Sequence, residues 1–340
     1  MKVNVAGNVF YNMDCIEGSK KHLPDSSIDL IVTDPPYGID GDKLDRHYNR
    51  DESYVVGGYV EVPWSEYGRF SHEWIHEAER ILRPGGQIYI VSGYTNLYHI
   101  LDAIRHTSLE EINHIIWKFN FGVYTRRKFV SSHYHILYYA KPGSNRTFNL
   151  DCRYGPNERD EASRSLNYQD REDVWVINRE YKPGQVKNKN ELPTALLVKM
   201  IQYSSNEGDT VCDLFLGGFS TARVAIGLNR KSAGFELSET IFAHGVDTVR
   251  KISPGYLVPS LRTPHIERPR NQGLAWSDEE FEMLQERYRS LRQQGARKGE
   301  IVDMLCSEFG RGRFAIEKKL GSSGPSKREE TQQQLPISET

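Results

Sequence analysis

Short apolar runs alternate with helical stretches along most of this chain, and this alternation restricts the fold more than any other sequence feature. Ser27–Val32, Gln87–Ser92 and Thr210–Phe215 are short, apolar and rich in β-branched residues, which predicts buried strands. Capped or amphipathic stretches over residues 71–82 and 193–204 predict helices between them. Alternation of this kind predicts an α/β fold with a doubly wound sheet.

The same patterns predict further elements. Helices are expected over about 95–106 and 221–228, and strands over about 113–118, 129–140 and 232–236. Together with the first set, they extend the strand–helix alternation over about two hundred residues, which is the size of one large domain.

Length and composition exclude several classes of protein. The 340 residues suggest one domain of roughly 250 residues with an appendage of about 50–80. Hydrophobic residues make up 38% and charged residues 26%, which fits a globular chain and excludes a collagen-like or wholly disordered one. No stretch approaches the ~18 apolar residues of a membrane helix, and the N-terminus lacks an apolar signal core. We therefore expect a cytoplasmic protein with no membrane partner.

Cysteine and histidine spacing gives no sign of a metal site. The four cysteines lie far apart without a C-x-x-C pair, and we interpret them as thiols in a reducing compartment. They are Cys15, Cys152, Cys212 and Cys306. His133 and His135 alternate on one predicted strand, but no acid or cysteine nearby completes a ligand set. The prediction is that the chain holds no metal.

The first predicted strand runs directly into Asp34-Pro35-Pro36-Tyr37. Ligands of open α/β sheets bind at the carboxyl ends of the strands, where this turn lies. A carboxylate, a prolyl carbonyl and an aromatic ring together suit a planar ring that carries an amino group. Taken alone, Asp34 could equally cap a turn and Tyr37 could fill the core.

A second turn, Asp213 to Gly218, is glycine-rich and leads from a strand into a helix. Such turns let a ligand approach the backbone, although a plain helix start would also use Gly217 and Gly218. About twenty residues later the next strand ends at Glu236, the place where an acid typically holds ribose hydroxyls.

These two turns resemble the signature motifs of the DNA amino-methyltransferases. Asp34-Pro35-Pro36-Tyr37 is similar to their D-P-P-Y motif, and Asp213–Thr221 is similar to their cofactor motif, D-x-F-x-G-x-G-[ST]-[ST]. The order, with the catalytic motif first, resembles the beta class. The resemblance extends over about residues 8–252 and includes landmarks at residues 80–86, 116–118 and 191–193.

The resemblance implies a methyltransferase fold with a mixed sheet and S-adenosyl-L-methionine as cofactor. The implied cofactor-binding residues are Asp213, Phe215, Gly217, Gly218, Ser220, Thr221 and Glu236. Phe219 stands where the family has its second motif glycine, so its side chain could crowd the cofactor or only reshape the turn.

The resemblance also implies a reaction on a base flipped out of double-stranded DNA. The Asp34 carboxylate and the Pro35 carbonyl would accept hydrogen bonds from the exocyclic amine, Pro36 would stiffen the turn, and Tyr37 would stack on the base. A D-P-P-Y motif favours adenine N6 and leaves cytosine N4 open. Carbon-5 methylation is disfavoured because no cysteine follows a proline.

Two basic regions are candidates for DNA contact. The run Arg126-Arg127-Lys128 could bind phosphates or could be a solvated face. The C-terminal segment over residues 274–321 predicts three short helices that resemble a Myb/SANT-type helix-turn-helix. Its implied contacts are Arg311, Arg313, Lys318 and Lys319. A packing or dimerisation role for this segment is also open.

The predicted organisation is a methyltransferase domain over residues 1–252, with target-recognition insertions at about 41–68 and 121–175. A Pro-rich linker over 253–273 leads to the helical segment, and residues 322–340 form a polar tail that is expected to be disordered.

A nicotinamide oxidoreductase is disfavoured, because this chain lacks the N-terminal G-x-G-x-x-G that such enzymes carry. A catalytically inactive DNA-binding protein remains an alternative because of Phe219. Homodimerisation is open, as is a cognate restriction nuclease, and a DNA methyltransferase would be associated with the nucleoid.

Overall fold

The computed structural model describes residues 1–36, 62–120, 122, 124, 126–143, 146–180, 191–261, 269–271 and 273–321. The chain divides into two compact units, Met1–Pro264 and His265–Thr340. Among the described residues, we find no helix with the length and apolar character needed to cross a bilayer.

The first unit is built on one mixed sheet, whose nine strands are described here. They are β1 (Lys2–Val5), β2 (Asn8–Asn12), β3 (Ile28–Thr33), β4 (Leu82–Ser92), β5 (Glu110–Lys118), β6 (His133–Ala140), β7 (Val174–Val176), β8 (Thr210–Asp213) and β9 (Lys231–Glu236). Their order across the sheet is β1-β2-β9-β8-β3-β4-β6-β5-β7. The neighbours from β2 to β4 run parallel, whereas β1 and β6 run antiparallel to their partners. The predicted α/β fold with a doubly wound mixed sheet is confirmed.

Helices cover both faces of this sheet. In the first unit they are α1 (Cys15–His22), α2 (Tyr67–Ile81), α3 (Leu97–Arg105), α4 (Leu166–Asp170), α5 (Thr194–Ser204), α6 (Ser220–Gly227) and α7 (Glu239–Arg250). Within β3, Ile31 packs into the core beneath α2 and α3, while Leu30 and Val32 pack into the core beneath α5. Alternate residues of a strand point to opposite faces, so this strand is buried on both sides.

The helix predicted to begin at Ser71 begins four residues earlier. A short 3-10 helix, Trp64–Glu66, leads into α2 at Tyr67. The buried Ser71 hydroxyl donates to the Tyr67 carbonyl at 2.8 Å, so Ser71 lies inside the helix and does not cap it. Part of the insertion predicted at 41–68 is therefore regular structure, and its residues up to 61 lie outside the described part of the chain.

The insertion predicted at about 121–175 also contains regular structure. It includes β6, which begins at His133, four residues after the predicted start of that strand. It also includes α4 and the three-residue strand β7, which pairs in parallel with β5.

The second unit contains α8 (Asp278–Gln293), α9 (Lys298–Phe309) and α10 (Arg313–Gly321). Ser277 caps α8, because its side chain accepts a hydrogen bond from the Glu280 amide at 3.1 Å. Its apolar core includes Leu284, Ile301 and Leu305, which are fully buried. Three helices share this core, so the unit has the small hydrophobic centre that a helical domain requires.

Candidate active site

The two predicted turns meet at one edge of the sheet. β3 and β8 are parallel neighbours with Ile31 opposite Cys212, so the residues that follow each strand emerge side by side. The Thr33 hydroxyl, at the end of β3, donates to Asp213 Oδ1 at 2.8 Å. This buried hydrogen bond joins the end of the strand that carries Asp34 to the end of the strand that carries the glycine-rich turn. Thr33 was not predicted as a site residue, because its only signal in the sequence is a hydroxyl group at the end of a strand.

Asp213 is the centre of the second turn. It is buried and accepts hydrogen bonds from the Phe215 amide at 3.0 Å and from the Thr221 side chain. Burial raises the pKa of Asp213 to about 6, and these hydrogen bonds offset part of that rise. The carboxyl group thus links β8, its turn and the start of α6.

Gly217 and Glu236 form the part of the edge that best fits a ribose. The Gly217 amide donates to Glu236 Oε2 at 2.9 Å, and the Ser238 amide donates to Oε1 at 2.7 Å. Gly217 has a positive φ of 47°, which glycine adopts without strain. Burial raises the pKa of Glu236. The Leu237 amide also interacts with this carboxylate, and because a carboxylate has about four acceptor positions, at least one remains for a hydroxyl group of a ligand.

Gly218 lies against a neighbouring side chain. A Cβ at this position would lie 2.2 Å from Glu191 Oε1, so a larger residue would have to displace the end of the Glu191 side chain. Glu191 Oε2 accepts a hydrogen bond from Arg223 at 2.9 Å. The sequence favours Gly218 as a place where a ligand approaches the backbone. In the structure it lets the Glu191–Arg223 ion pair pack against the turn.

Phe219 does not crowd the surface of the turn. Its side chain is fully buried, with ring centroids 5.1 Å from Phe10 and 5.9 Å from Phe242. Its backbone is left-handed, with φ 60° and ψ 25°. The ring points into the core, so the expectation that it crowds the surface of the turn is wrong, whereas reshaping of the turn stays a prediction.

Phe215, Ser220 and Thr221 occupy the rest of this turn. The half-buried Phe215 ring packs against Trp74 and Phe70, at centroid distances of 5.4 and 5.7 Å. Ser220 and Thr221 open α6 and are both buried. The structure therefore brings all seven predicted cofactor residues to one edge.

The first turn is held from α2. Pro35 and Pro36 are buried and Asp34 is half-buried. The buried Tyr67 hydroxyl donates to the Pro36 carbonyl at 2.8 Å. Tyr67 was not predicted as a site residue, because the predicted helix began after it. Tyr37 lies outside the described residues.

The predicted basic run is on the surface. Arg126, Arg127 and Lys128 are exposed, as are their neighbours Tyr124 and Phe129. In the second unit, Arg313 and Lys318 are exposed and Lys319 is half-buried. Lys319 Nζ lies 4.7 Å from the ring centre of Phe281.

Arg311 is a correction to the predicted DNA contacts. Its side chain is buried, and its donors go to both carboxylate oxygens of Glu280 and to the carbonyls of Asn271, Leu274 and Ala275. These hydrogen bonds use all five N–H groups of a guanidinium. Arg311 therefore holds the helical unit together and has no donor left for a phosphate.

The cysteines are unsuited to nucleophilic chemistry. Burial raises the pKa of Cys15 and Cys212, and it raises the pKa of Cys152 to about 12. A thiol reacts as its thiolate, so these side chains stay inert near neutral pH.

Comparison with known folds supports the architecture. A DNA modification methylase from Thermus thermophilus, solved in complex with S-adenosyl-L-methionine, superposes with a TM-score of 0.51 at 22% identity, covering 72% of this chain and 94% of that one. The PvuII DNA methyltransferase, which is cytosine-N4-specific, gives 0.53 at 15% identity, covering 73% and 88%. The fold is thus an α/β methyltransferase fold.

Sequence comparison gives the family. The N6_N4_Mtase model, a DNA methylase, matches residues 28–247. The type II methyltransferase M.HpaI of Haemophilus parainfluenzae is 32% identical over 64% of this chain and 67% of its own length. M.BamHI of Bacillus amyloliquefaciens is 32% identical over 67% of this chain and 54% of its own length. The chain belongs to this DNA methylase family and is a DNA methyltransferase.

Proposed function

We propose that this chain transfers the methyl group of S-adenosyl-L-methionine to the exocyclic amine of a base flipped out of double-stranded DNA. Adenine N6 is the first candidate and cytosine N4 the second. The hydrogen bond from Thr33 to Asp213 carries the proposal, because it ties the strand of the amine-binding turn to the strand of the cofactor turn.

In this proposal the cofactor turn holds an adenosine. The remaining acceptor capacity of the Glu236 carboxylate binds the ribose. Gly217 leaves its backbone open to the ligand, while Asp213 and Thr221 fix the turn beneath it. When bound, S-adenosyl-L-methionine supplies an electrophilic methyl group on a sulfonium. Gly218, Phe215 and Ser220 shape this surface.

The first turn holds the amine. The Asp34 carboxylate and the Pro35 carbonyl accept the two N–H groups, which orients the nitrogen lone pair for attack. The hydrogen bond from Tyr67 to the Pro36 carbonyl keeps this backbone in place. In this proposal Tyr37 stacks on the flipped base. This stacking contributes about 1–3 kcal/mol and offsets part of the free energy needed to take the base out of the duplex. The proton that leaves the alkylated nitrogen passes toward the Asp34 carboxylate.

DNA contacts come from basic residues that are exposed or half-buried. Arg126, Arg127 and Lys128 bind phosphates in this proposal, and Arg313, Lys318 and Lys319 of the helical unit bind other phosphates of the duplex. Such contacts release counterions from the DNA. Replacing one of these Lys or Arg residues by alanine should therefore reduce the slope of log K against log salt concentration by about one.

The relatives named as type II methyltransferases suggest a biological partner. We propose that methylation by this chain protects a DNA site from a cognate restriction nuclease. Transformation of a methylation-free host with the gene, followed by digestion of its DNA with nucleases of known site, tests this. Light scattering on the purified chain tests whether it acts as a homodimer.

Mass spectrometry of nucleosides tests the reaction itself. Genomic DNA from a methylation-free host that expresses the chain should contain N6-methyladenine, and DNA from a host that expresses Asp34→Ala should not. N4-methylcytosine in its place would select the second candidate. If neither modified base forms although purified protein binds DNA, the chain is the inactive DNA-binding protein that remained an alternative.

A further inference from the structure

We propose that His72, Asp102 and His106 form a surface site for Zn²⁺ that joins α2 to α3. In the described part of the chain, this is the one group of three or more His, Cys, Asp or Glu side chains whose ligand atoms all lie within 4.8 Å of one another. His72 lies on α2, whereas Asp102 and His106 are four residues apart at the end of α3. Residues spaced by four share one face of a helix.

A hydrogen bond of His106 prepares its other ring nitrogen for a metal. Nδ1 lies 2.8 Å from the Asp102 carbonyl, and a carbonyl oxygen can only accept, so Nδ1 carries the proton. Nε2 is then left with its lone pair. Histidines that bind metals commonly donate their other ring N–H to a backbone carbonyl, which fixes the tautomer and the ring orientation.

His72 and Asp102 supply the other two ligands. His72 Nε2 lies 3.0 Å from Asp102 Oδ2, so without metal it donates its proton to that oxygen. The His72 and His106 rings meet edge to face, with centroids 4.9 Å apart and planes at 61°. To bind a metal at Nε2, the neutral His72 ring must carry its single proton on Nδ1, so metal binding shifts this proton from Nε2 to Nδ1 by exchange with solvent.

The ligand set and its exposure favour zinc. Two imidazoles and one carboxylate suit Zn²⁺, whereas Mg²⁺ and Ca²⁺ prefer oxygen ligands alone. The side chains of His72 and Asp102 are 32% and 43% exposed, so water can complete the coordination. The site would strengthen the α2–α3 pair, which supports the turn through Tyr67, and it does not depend on the proposed reaction.

The full-length chain without a histidine tag allows a direct test. Titration with Co²⁺, a coloured substitute for Zn²⁺, should give visible absorption that saturates at one equivalent and is removed by added Zn²⁺. His106→Gln and Asp102→Asn should each weaken binding by at least about tenfold. Zinc should raise the melting temperature of the wild type and not that of His106→Gln.

Two further variants make the test specific. His76→Gln, one turn along α2 and exposed, should leave Co²⁺ binding unchanged. His114 and His135 form a second histidine pair, with His114 Nε2 2.9 Å from His135 Nδ1. The proposal is overturned if the wild type shows no saturable absorption, if the signal survives in both ligand variants, or if His114→Gln abolishes it.

Discussion

Phe219 occupies a left-handed backbone position at which glycine would be unstrained. An L-residue in this conformation costs roughly 1–2 kcal/mol, whereas the loss of a buried phenylalanine costs about 3–5 kcal/mol. The free energy gained by burying the Phe219 ring is larger than the cost of the strained backbone. This explains why phenylalanine is tolerated where the DNA amino-methyltransferase motif has glycine. Its partner is Gly245 of α7, where a Cβ would lie 2.1 Å from the Phe219 ring.

In a double-mutant cycle on these two residues, the effect of Gly245→Ala on the free energy of unfolding should change sign when Phe219 is replaced by glycine. Phe219→Gly alone should destabilise the chain by about 1–4 kcal/mol, the net of lost burial and relieved strain. Gly245→Ala should destabilise the wild type through the clash and stabilise the Phe219→Gly variant, where the space is empty. Urea unfolding of the four proteins measures this, and additive effects would contradict the packing described here.

The buried Asp213 should make stability depend on pH. The pKa of Asp213 is raised from 3.8 to about 6 in the folded chain. The folded chain therefore keeps a proton that the unfolded chain loses first, so this contribution to stability is present below about pH 4 and lost as the pH rises through 6. The full effect is about 3 kcal/mol for two pKa units.

Asp213→Asn removes this titration while keeping an oxygen that can accept from Thr33. Its free energy of unfolding, measured without cofactor, should increase relative to the wild type between about pH 4 and pH 7. Asp247→Asn is the control, because Asp247 is exposed on α7. If the free energies of unfolding of the wild type and Asp213→Asn change with pH in parallel, the raised pKa of Asp213 is contradicted.

At the level of elements, the central strands were predictable because each is a short apolar run bounded by turn residues. β3 and β8 follow that pattern, and the turns that come directly after them were predicted as well. β1 was missed because it alternates exposed and half-buried residues, which gives little hydrophobic signal. The start of α2 was missed because no side chain caps it and an aromatic 3-10 turn precedes it.

The Arg311 error shows what spacing alone does not reveal. A basic residue in a short helical segment looks the same in sequence whether it faces solvent or the core. Here the Glu280 carboxylate on α8 and three backbone carbonyls surround it, and its guanidinium lies 4.1 Å from the ring centre of Trp276. Only the tertiary fold of the helical unit decides its role.

Arg311→Ala should therefore unfold or loosen the helical unit. Loss of one partner from a buried ion pair costs about 3–5 kcal/mol, because Glu280 is left unpaired. Arg313→Ala breaks exposed pairs with Asp303 and Glu317 and should cost under about 1 kcal/mol. Hydrogen exchange of α8 to α10 measures both, and equal protection in the two variants would refute the structural role of Arg311.

At the level of the whole molecule, we assign DNA affinity partly to the helical unit and cofactor binding to the first unit. Deletion of residues 270–340 should weaken DNA binding and reduce its salt dependence, while affinity for S-adenosyl-L-methionine stays within a few-fold. The triple variant Arg313→Ala, Lys318→Ala, Lys319→Ala in the full chain should act in the same direction. Unchanged DNA affinity in both proteins would rule out a DNA contact by this unit.

The central claim is that Asp34 acts on the substrate amine beside a separate cofactor turn. Calorimetry with S-adenosyl-L-methionine and single-turnover methyl transfer, both on purified Asp34→Ala, test it together. We predict that methyl transfer falls by about 10²-fold or more while cofactor affinity stays within a few-fold of the wild type. Wild-type turnover, or a parallel loss of cofactor binding, would contradict the claim.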